Sequence, residues 1–143
     1  MRVLKKILLA PDSFKGTMSA VRVCEIMERA VCAQLPHCRI EKIPIADGGE
    51  GTVEAFLCAA GGKRVPVTVC GPNGTRTEAF YGLLPDGTAV VEMAAAAGLP
   101  LAGPRPDPER ATTYGVGELI AHALGQGCRR VVLGLGGSAT NDG

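Results

Sequence analysis

The chain has 143 residues, and its 15 lysines and arginines nearly balance its 14 aspartates and glutamates, giving a formal net charge of +1. Hydrophobic residues make up 46% and charged residues 20%, which excludes a disordered tail and a strongly basic nucleic-acid binder. Aromatic residues make up 3%, with no tryptophan, so we expect no platform on which nucleic-acid bases stack.

The amino-terminal segment contains a short apolar run, which raises the question of a signal peptide or membrane anchor. Lys5 and Lys6 interrupt this run, Pro11 ends it, and no segment reaches the ~18 consecutive apolar residues that a membrane span needs. The six cysteines form no CxxC pair, so we interpret them as small apolar side chains in a reducing compartment. We therefore predict a cytoplasmic protein with neither a membrane nor a nucleic-acid partner.

The first part of the chain repeats the order strand, loop, helix twice. We predict a strand over 3–10, a helix from the N-cap Ser19 to about residue 35, a strand over 39–45 and a helix over 52–60 that ends at Gly61. This order is typical of a parallel α/β sheet.

The pattern changes near Gly62, where strands joined by short turns indicate antiparallel hairpins. We predict strands over 65–69, 75–84 and 88–93, then a helix over 114–124 and a strand over 129–135. The sequence thus predicts an α/β protein whose second subdomain begins near Gly62.

Three glycine-containing loops follow predicted parallel strands, where open α/β sheets bind ligands. In DSFKGT, Lys15 either holds an anionic group or is a solvated lysine in a turn. In ADGGEGT, Asp47 and Glu50 flank Gly48 and Gly49, and Thr52 follows. This loop fits a Mg²⁺ ligand or a general base, and it equally fits a tight turn whose aspartate binds local amides.

The third loop, GLGGSATNDG, follows the last predicted strand. Successive backbone amides and the hydroxyls of Ser138 and Thr140 suit a polyphosphate. Its GxGxxA portion also fits a dinucleotide fingerprint, whereas a P-loop is excluded because no GK[ST] occurs. Outside the loops, Glu92 lies in an apolar strand, where a buried carboxylate needs a partner or a function. The pair Thr112-Thr113 reads most simply as a helix cap.

Six segments taken in order resemble the bacterial glycerate kinase family of the glycerate 2-kinase type. They are APDSFKG, PIADGGEGT, AFYGLL, VVEMAAAAGLP, ATTYGVGELI and GLGGSATNDG. The resemblance covers residues 9–143, and family members are considerably longer, so we expect these residues to form the N-terminal portion of such a kinase and to be inactive by themselves.

The resemblance implies ATP- and Mg²⁺-dependent phosphorylation of D-glycerate, a small-molecule substrate, to 2-phosphoglycerate. It also implies a flavodoxin-like parallel-sheet domain, which begins with residues 1–62, and an inserted α/β domain, which begins with residues 63–143. The catalytic site would lie in the cleft between the domains.

The resemblance also suggests roles for individual side chains. Lys15 would offset charge on the substrate or on the transferred group, and Asp47 would accept the hydroxyl proton or hold Mg²⁺. Asp142 is the alternative base. The remaining candidates for binding substrate or nucleotide are Ser13, Gly48, Gly49, Thr52, Glu92, Gly136, Gly137, Ser138, Thr140 and Asn141.

Two other function classes remain open at this point. One is a nicotinamide-dependent oxidoreductase that uses the GxGxxA segment, and the other is a noncatalytic anion-binding or assembly module.

Overall fold

The computed structural model describes residues 4–142, and the chain divides into two compact units, Met1–Ala46 and Asp47–Gly143. Val3, in the first predicted strand, and Gly143, the last residue of the third loop, lie outside the described residues. The division into units falls earlier in the chain than the domain boundary predicted after residue 62, and that boundary stays a prediction.

The first unit consists of two parallel strands and one helix. Its elements are β1 (Lys6–Leu9), α1 (Ala20–Gln34) and β2 (Arg39–Lys42). The two strands pair in parallel, with Lys6 opposite Arg39, as the repeated strand–loop–helix order predicts. Ser19 caps α1, since its hydroxyl accepts a hydrogen bond from the Arg22 amide at 3.3 Å. Both strands are shorter than predicted.

The second unit is built on a four-stranded sheet. Its first elements are α2 (Thr52–Ala60), β3 (Lys63–Cys70), β4 (Arg76–Leu83), β5 (Thr88–Glu92) and, later in the chain, β6 (Arg130–Gly134). The strand order is β3-β4-β5-β6. The pairs β3–β4 and β4–β5 are antiparallel, which confirms the predicted hairpins, and β5–β6 is parallel. Pro66 lies on the edge strand β3, where a missing amide donor is tolerated.

Helices cover both faces of this sheet. On one face α3 (Ala94–Ala97) and α4 (Tyr114–Gly125) enclose a core that includes Tyr81, Val91 and Leu119. On the other face, α2 contributes Val53 to a smaller cluster with Leu84 and Val90. Because β5 is covered by helices on both faces of the sheet, all five of its residues are buried. The four residues of α3 are all alanines, and Ala96 and Ala97 are buried.

The parallel pair β5–β6 positions the loops that matter for function. Glu92 at the end of β5 is paired with Gly134 at the end of β6, so the segments that follow both strands start at one edge of the sheet. Within the described residues, no helix is long and apolar enough to cross a membrane. The six cysteines, all of which lie in this part of the chain, form no disulfide bond.

Candidate active site

Two glycine-rich loops of the second unit, residues 47–51 and 135–142, lie with their backbones in contact. The Gly136 amide donates a hydrogen bond to the Gly48 carbonyl oxygen at 2.9 Å. A Cβ atom at Gly136 would lie 2.6 Å from the Gly49 nitrogen, and a Cβ at Gly134 would overlap the Gly48 carbonyl oxygen. The absence of a side chain at these positions is therefore what allows one loop to pack on the other.

This contact gives the predicted ligand-binding glycines a structural role. The sequence predicts Gly48, Gly49 and Gly136 as places where the backbone approaches a ligand, and the structure shows them approaching each other. Gly137 differs in being exposed, and like Gly48 it has a positive φ, here +74°, a conformation that favours glycine. Contact of any of these four glycines with substrate or nucleotide stays a prediction.

Asp47 begins the first loop and has an exposed side chain. Its Oδ1 accepts a hydrogen bond from the Gly49 amide at 3.0 Å, which is the local turn that the sequence offered as an alternative. The Thr52 hydroxyl donates to the Gly49 carbonyl oxygen at 2.7 Å and fixes the other side of the turn. The loop is thus held by its own side chains while the Asp47 carboxylate remains accessible.

Glu92 fixes the end of this loop from the sheet. Its side chain is 2% exposed, and Oε2 accepts hydrogen bonds from the amides of Thr52 at 2.8 Å and Val53 at 3.4 Å. Because the N-cap residue of α2 is Gly51, which has no side chain, Glu92 caps this helix from a distant strand. Burial, reinforced by the nearby Glu54 carboxylate, raises the pKa of Glu92 to about 7, against the opposing effect of the amide hydrogen bonds.

The second loop brings two hydroxyl groups together. Ser138 Oγ and Thr140 Oγ1 lie 2.8 Å apart, and the Thr140 amide donates to Ser138 Oγ at 3.1 Å. The Ala139 amide donates to the Ala97 carbonyl oxygen at 2.9 Å, which holds the loop to α3. Hydroxyl donors of this kind suit phosphate oxygens, although their contact with a phosphate stays a prediction.

Asp142 and Asn141 are exposed near the end of the second loop. Both carboxylate oxygens of Asp142 accept from the Thr113 amide, at 3.1 and 2.9 Å, at the start of α4. This backbone hydrogen bond is the main reason that the pKa of Asp142 lies below its usual value, and hydroxyl groups, Thr112 and Thr140 among them, lower it further. The contact could not be foreseen, because a backbone amide carries no sequence signal.

The sequence predicts a helix cap at Thr112-Thr113, and the structure caps the start of α4 with the side chains of Thr112 and Asp142. The Thr112 hydroxyl accepts from the Tyr114 amide at 3.1 Å, whereas Thr113, the N-cap residue, makes no capping hydrogen bond with its side chain. Asp142 supplies the acceptor for the Thr113 amide instead. The start of α4 is thereby tied to the second loop.

Ser13 and Lys15 belong to the first unit. The Ser13 amide donates to Asp12 Oδ1 at 2.6 Å, and Lys15 is exposed in the turn between Phe14 and Met18. Exposure of Lys15 fits both of its interpretations, an anion contact and a solvated lysine. A place for Ser13 and Lys15 in one site with Asp47 stays a prediction.

The side chains present would suit a Mg²⁺ ion that is held by few protein ligands. Residues 4–142 contain no cluster of three or more His, Cys, Asp or Glu side chains arranged to hold a metal ion. Mg²⁺ in phosphoryl-transfer sites is ordinarily held by one or two carboxylates together with substrate phosphates and water. The exposed carboxylate of Asp47 is compatible with that sparse coordination.

Comparison with known proteins agrees with the resemblance found in the sequence. A sequence model of the glycerate kinase family matches residues 7–143. The chain is 48% identical over 140 residues to the Glycerate kinase of Bacillus subtilis (strain 168) and 45% identical over 140 residues to the Glycerate 2-kinase of Escherichia coli (strain K12). Both alignments cover 96% of this chain and 37% of the relative.

A solved structure gives the same relationship in three dimensions. A crystal structure from Salmonella typhimurium LT2, named for a glycerate kinase 2, matches with a TM-score of 0.79 and 49% identity over 97% of this chain and 38% of that one. The α/β fold class is thus confirmed, and the comparisons lend no support to a nicotinamide-dependent oxidoreductase or a noncatalytic module. The chain spans 37% of the length of the curated relatives named above. With the family match extending over nearly all of its residues, this chain belongs to the glycerate kinase family.

Proposed function

We propose that this protein transfers the γ-phosphoryl group of ATP to a hydroxyl group of D-glycerate and yields 2-phosphoglycerate. Family membership supports the reaction class, and the relative named a glycerate 2-kinase supports the position of the phosphate. The observation that carries the proposal is the pair of interlocked glycine-rich loops, which leaves the Asp47 carboxylate exposed beside a loop rich in amides and hydroxyls.

In the proposed step, the glycerate hydroxyl oxygen attacks the γ-phosphorus atom. A new P–O bond forms, the bond from that phosphorus to the bridging oxygen breaks, and ADP leaves with the electron pair. Asp47 takes the proton of the hydroxyl group, which is the role of a general base. Phosphoryl transfer depends on positioning and charge neutralisation, and a loop fixed on both sides of Gly49 meets the first requirement.

Charge on the reacting groups would be offset by several of the candidate side chains. Lys15 would act as a point charge on glycerate or the transferred phosphoryl group, with Ser13 beside it. Ser138, Thr140 and Asn141, together with the exposed backbone at Gly137, would donate hydrogen bonds to nucleotide phosphates or substrate. When bound, Mg²⁺ would supply further charge neutralisation, and binding it is the alternative to the base role for the Asp47 carboxylate.

The proposal places the enzyme in the cytoplasm, where ATP is available, and gives it a small hydroxy acid as its partner. A nucleic-acid partner is not part of it, because the chain has a formal net charge of +1 and few aromatic residues.

A glycerate-dependent assay of the complete protein tests this proposal. ADP release with D-glycerate, ATP and Mg²⁺ should be rapid, and ³¹P NMR of the product should show 2-phosphoglycerate. In the same assay, Lys15→Ala should lower kcat/KM by about 30- to 1,000-fold, the scale of a lost electrostatic contact in the transition state. The matched control is Lys63→Ala, because Lys63 is also an exposed lysine.

Three results would contradict parts of this proposal. Absence of glycerate-dependent ADP release would refute the function, and a 3-phosphoglycerate product would correct the acceptor hydroxyl. An unchanged kcat/KM in Lys15→Ala would return Lys15 to a solvated surface role.

A further inference from the structure

A closed ring of hydrogen bonds links the end of β5 to both glycine-rich loops. Glu92 Oε2 accepts from the Thr52 amide at 2.8 Å, and the Thr52 hydroxyl donates to the Gly49 carbonyl oxygen at 2.7 Å. The adjoining Gly48 carbonyl oxygen accepts from the Gly136 amide at 2.9 Å. The Met93 amide, next to Glu92, donates to the Gly134 carbonyl oxygen at 2.9 Å and closes the ring.

Capping α2 with Glu92 requires the burial of a carboxylate, which is energetically unfavourable. Its side chain is 2% exposed, and among the described residues no cation forms an ion pair with it. Burial of an unpaired carboxylate is unfavourable unless hydrogen bonds offset the lost hydration. A serine or aspartate at the N-cap would cap α2 locally without a buried charge, yet this chain has Gly51 there. Capping alone therefore does not account for Glu92.

We propose that Glu92 is a positioning residue of the kinase site. It acts through Thr52 without touching substrate, and it holds the loop that carries Asp47 in register with the loop that follows β6. This inference rests on the proposed function for its catalytic consequence. The ring of hydrogen bonds itself does not depend on the substrate, so the coupling of the two loops can be measured separately.

The charges around Glu92 determine how its protonation, and with it the hydrogen bonds to the α2 amides, depends on pH. From α2, the Glu54 carboxylate acts on it and raises its pKa, while Glu54 itself pairs with Arg64 of β3 at 3.4 Å. From β6, its partner is Gly134, and the β4 residues paired with β5 are Gly82 and Leu83, all uncharged. As the pH falls through about 7, Glu92 takes up a proton and the α2 amides lose their anionic acceptor.

Hydrogen exchange and kinetics of the complete protein together test the proposal. In Glu92→Ala, the amides of both Thr52 and Gly136 should exchange at least tenfold faster, and the loss in kcat/KM should be at least tenfold and lie mainly in kcat. Glu92→Gln keeps an oxygen acceptor without the charge, so it should recover only part of the exchange protection and should lack the dependence of kcat on pH near 7. Glu78→Gln, which removes an exposed carboxylate from β4, is the control and should match the wild type.

Two further variants remain informative if Glu92→Ala fails to fold. Thr52→Val keeps the amide but removes the hydroxyl bond to Gly49, so Gly136 exchange should rise and kcat should fall. The kcat of the wild type should decrease as the pH falls through about 7. In Glu54→Gln the midpoint should move to lower pH, because the repulsion that favours protonated Glu92 has been removed.

The possible outcomes separate this inference from the proposed function. Faster exchange at Thr52 with unchanged exchange at Gly136 would refute the coupling of the loops. Coupled exchange with an unchanged kcat in an active enzyme would refute the positioning role. If the wild-type protein phosphorylates no glycerate, the proposed function fails, and coupled exchange still decides whether Glu92 holds the two loops together.

Discussion

The two glycine-rich loops of the second unit each carry an aspartate, and the two carboxylates are used differently. Asp47 accepts one hydrogen bond from an amide of its own loop, whereas Asp142 binds the Thr113 amide at the start of α4 with both oxygens. The second arrangement stabilises the anion and lowers the pKa of Asp142. A carboxylate held in this way is a poorer proton acceptor.

This difference bears on which aspartate could act as the base. Asp142 is engaged in tying the second loop to α4, and moving it toward a substrate would release the Thr113 amide. Asp47 shapes a turn with Oδ1 alone and stays exposed. The comparison therefore supports Asp47 as the proposed base and a capping role for Asp142, and the following substitutions probe both assignments.

The largest effect is expected for Asp47→Asn. The amide keeps the size of the side chain and an oxygen that can accept from Gly49, but it cannot take the proton, so kcat should fall by about 10²–10⁴ while nucleotide binding persists. Steady-state kinetics and nucleotide titration check this result. Asp86→Asn is a close control, because Asp86 Oδ1 makes the same kind of turn with the Thr88 amide at 3.0 Å, before β5.

A near-normal kcat in Asp47→Asn would show that Asp47 is not the general base. An equal loss in Asp86→Asn would attribute the effect to turn stability and would also contradict the assignment.

The contact between the loops should be sensitive to a single methyl group. In Gly136→Ala, the new Cβ would lie 2.6 Å from the Gly49 nitrogen, so one backbone must move, and we expect a loss of about 1–3 kcal/mol in the free energy of unfolding. Denaturant titration measures this loss. In contrast, Gly117→Ala places its methyl in open space on α4 and should stabilise the helix by up to about 1 kcal/mol.

Equal unfolding free energies for Gly136→Ala and the wild type would show that the loops do not need this close approach. An increase in the free energy of unfolding for Gly117→Ala would show that replacing glycine by alanine does not by itself destabilise this protein.

The smallest effect is expected for Asp142→Asn. Loss of the anionic cap at α4 should lower the free energy of unfolding by less than about 1 kcal/mol, because the side chain is exposed and solvent screens it. Since folding lowers the pKa of Asp142, its contribution is present above the unfolded value and is lost as the pH falls through the folded value. The difference between variant and wild type should therefore be present at pH 7 and absent under strongly acidic conditions. A difference that is independent of pH would contradict capping by the charge.

The sequence predicted the elements well where a local signal was present. The N-cap Ser19, the strand–loop–helix repeats and the hairpins after Gly62 were all readable from residue type and spacing. The helix over 52–60 was predicted with its observed bounds, because Gly61 ends it. The motifs also sufficed to identify the family.

The parts that could not be predicted depend on contacts between distant backbone groups. Gly136 appears in the sequence as a ligand-binding glycine, and only the fold shows that Gly136 and Gly134 meet Gly48 and Gly49. Glu92 was recognisable as an unusual carboxylate in an apolar strand, but its partners, the amides of Thr52 and Val53, carry no signal of residue type.

The most direct test of the account is a Mg²⁺ titration of kcat for Asp47→Asn and Asp142→Asn in the complete protein at saturating ATP and D-glycerate. If Asp47 is the base, Asp47→Asn should show a large loss at every Mg²⁺ concentration, and Asp142→Asn should stay close to the wild type. A loss in Asp47→Asn that excess Mg²⁺ partly restores would identify Asp47 as a metal ligand. A large, Mg²⁺-independent loss in Asp142→Asn with a nearly wild-type Asp47→Asn would contradict the account.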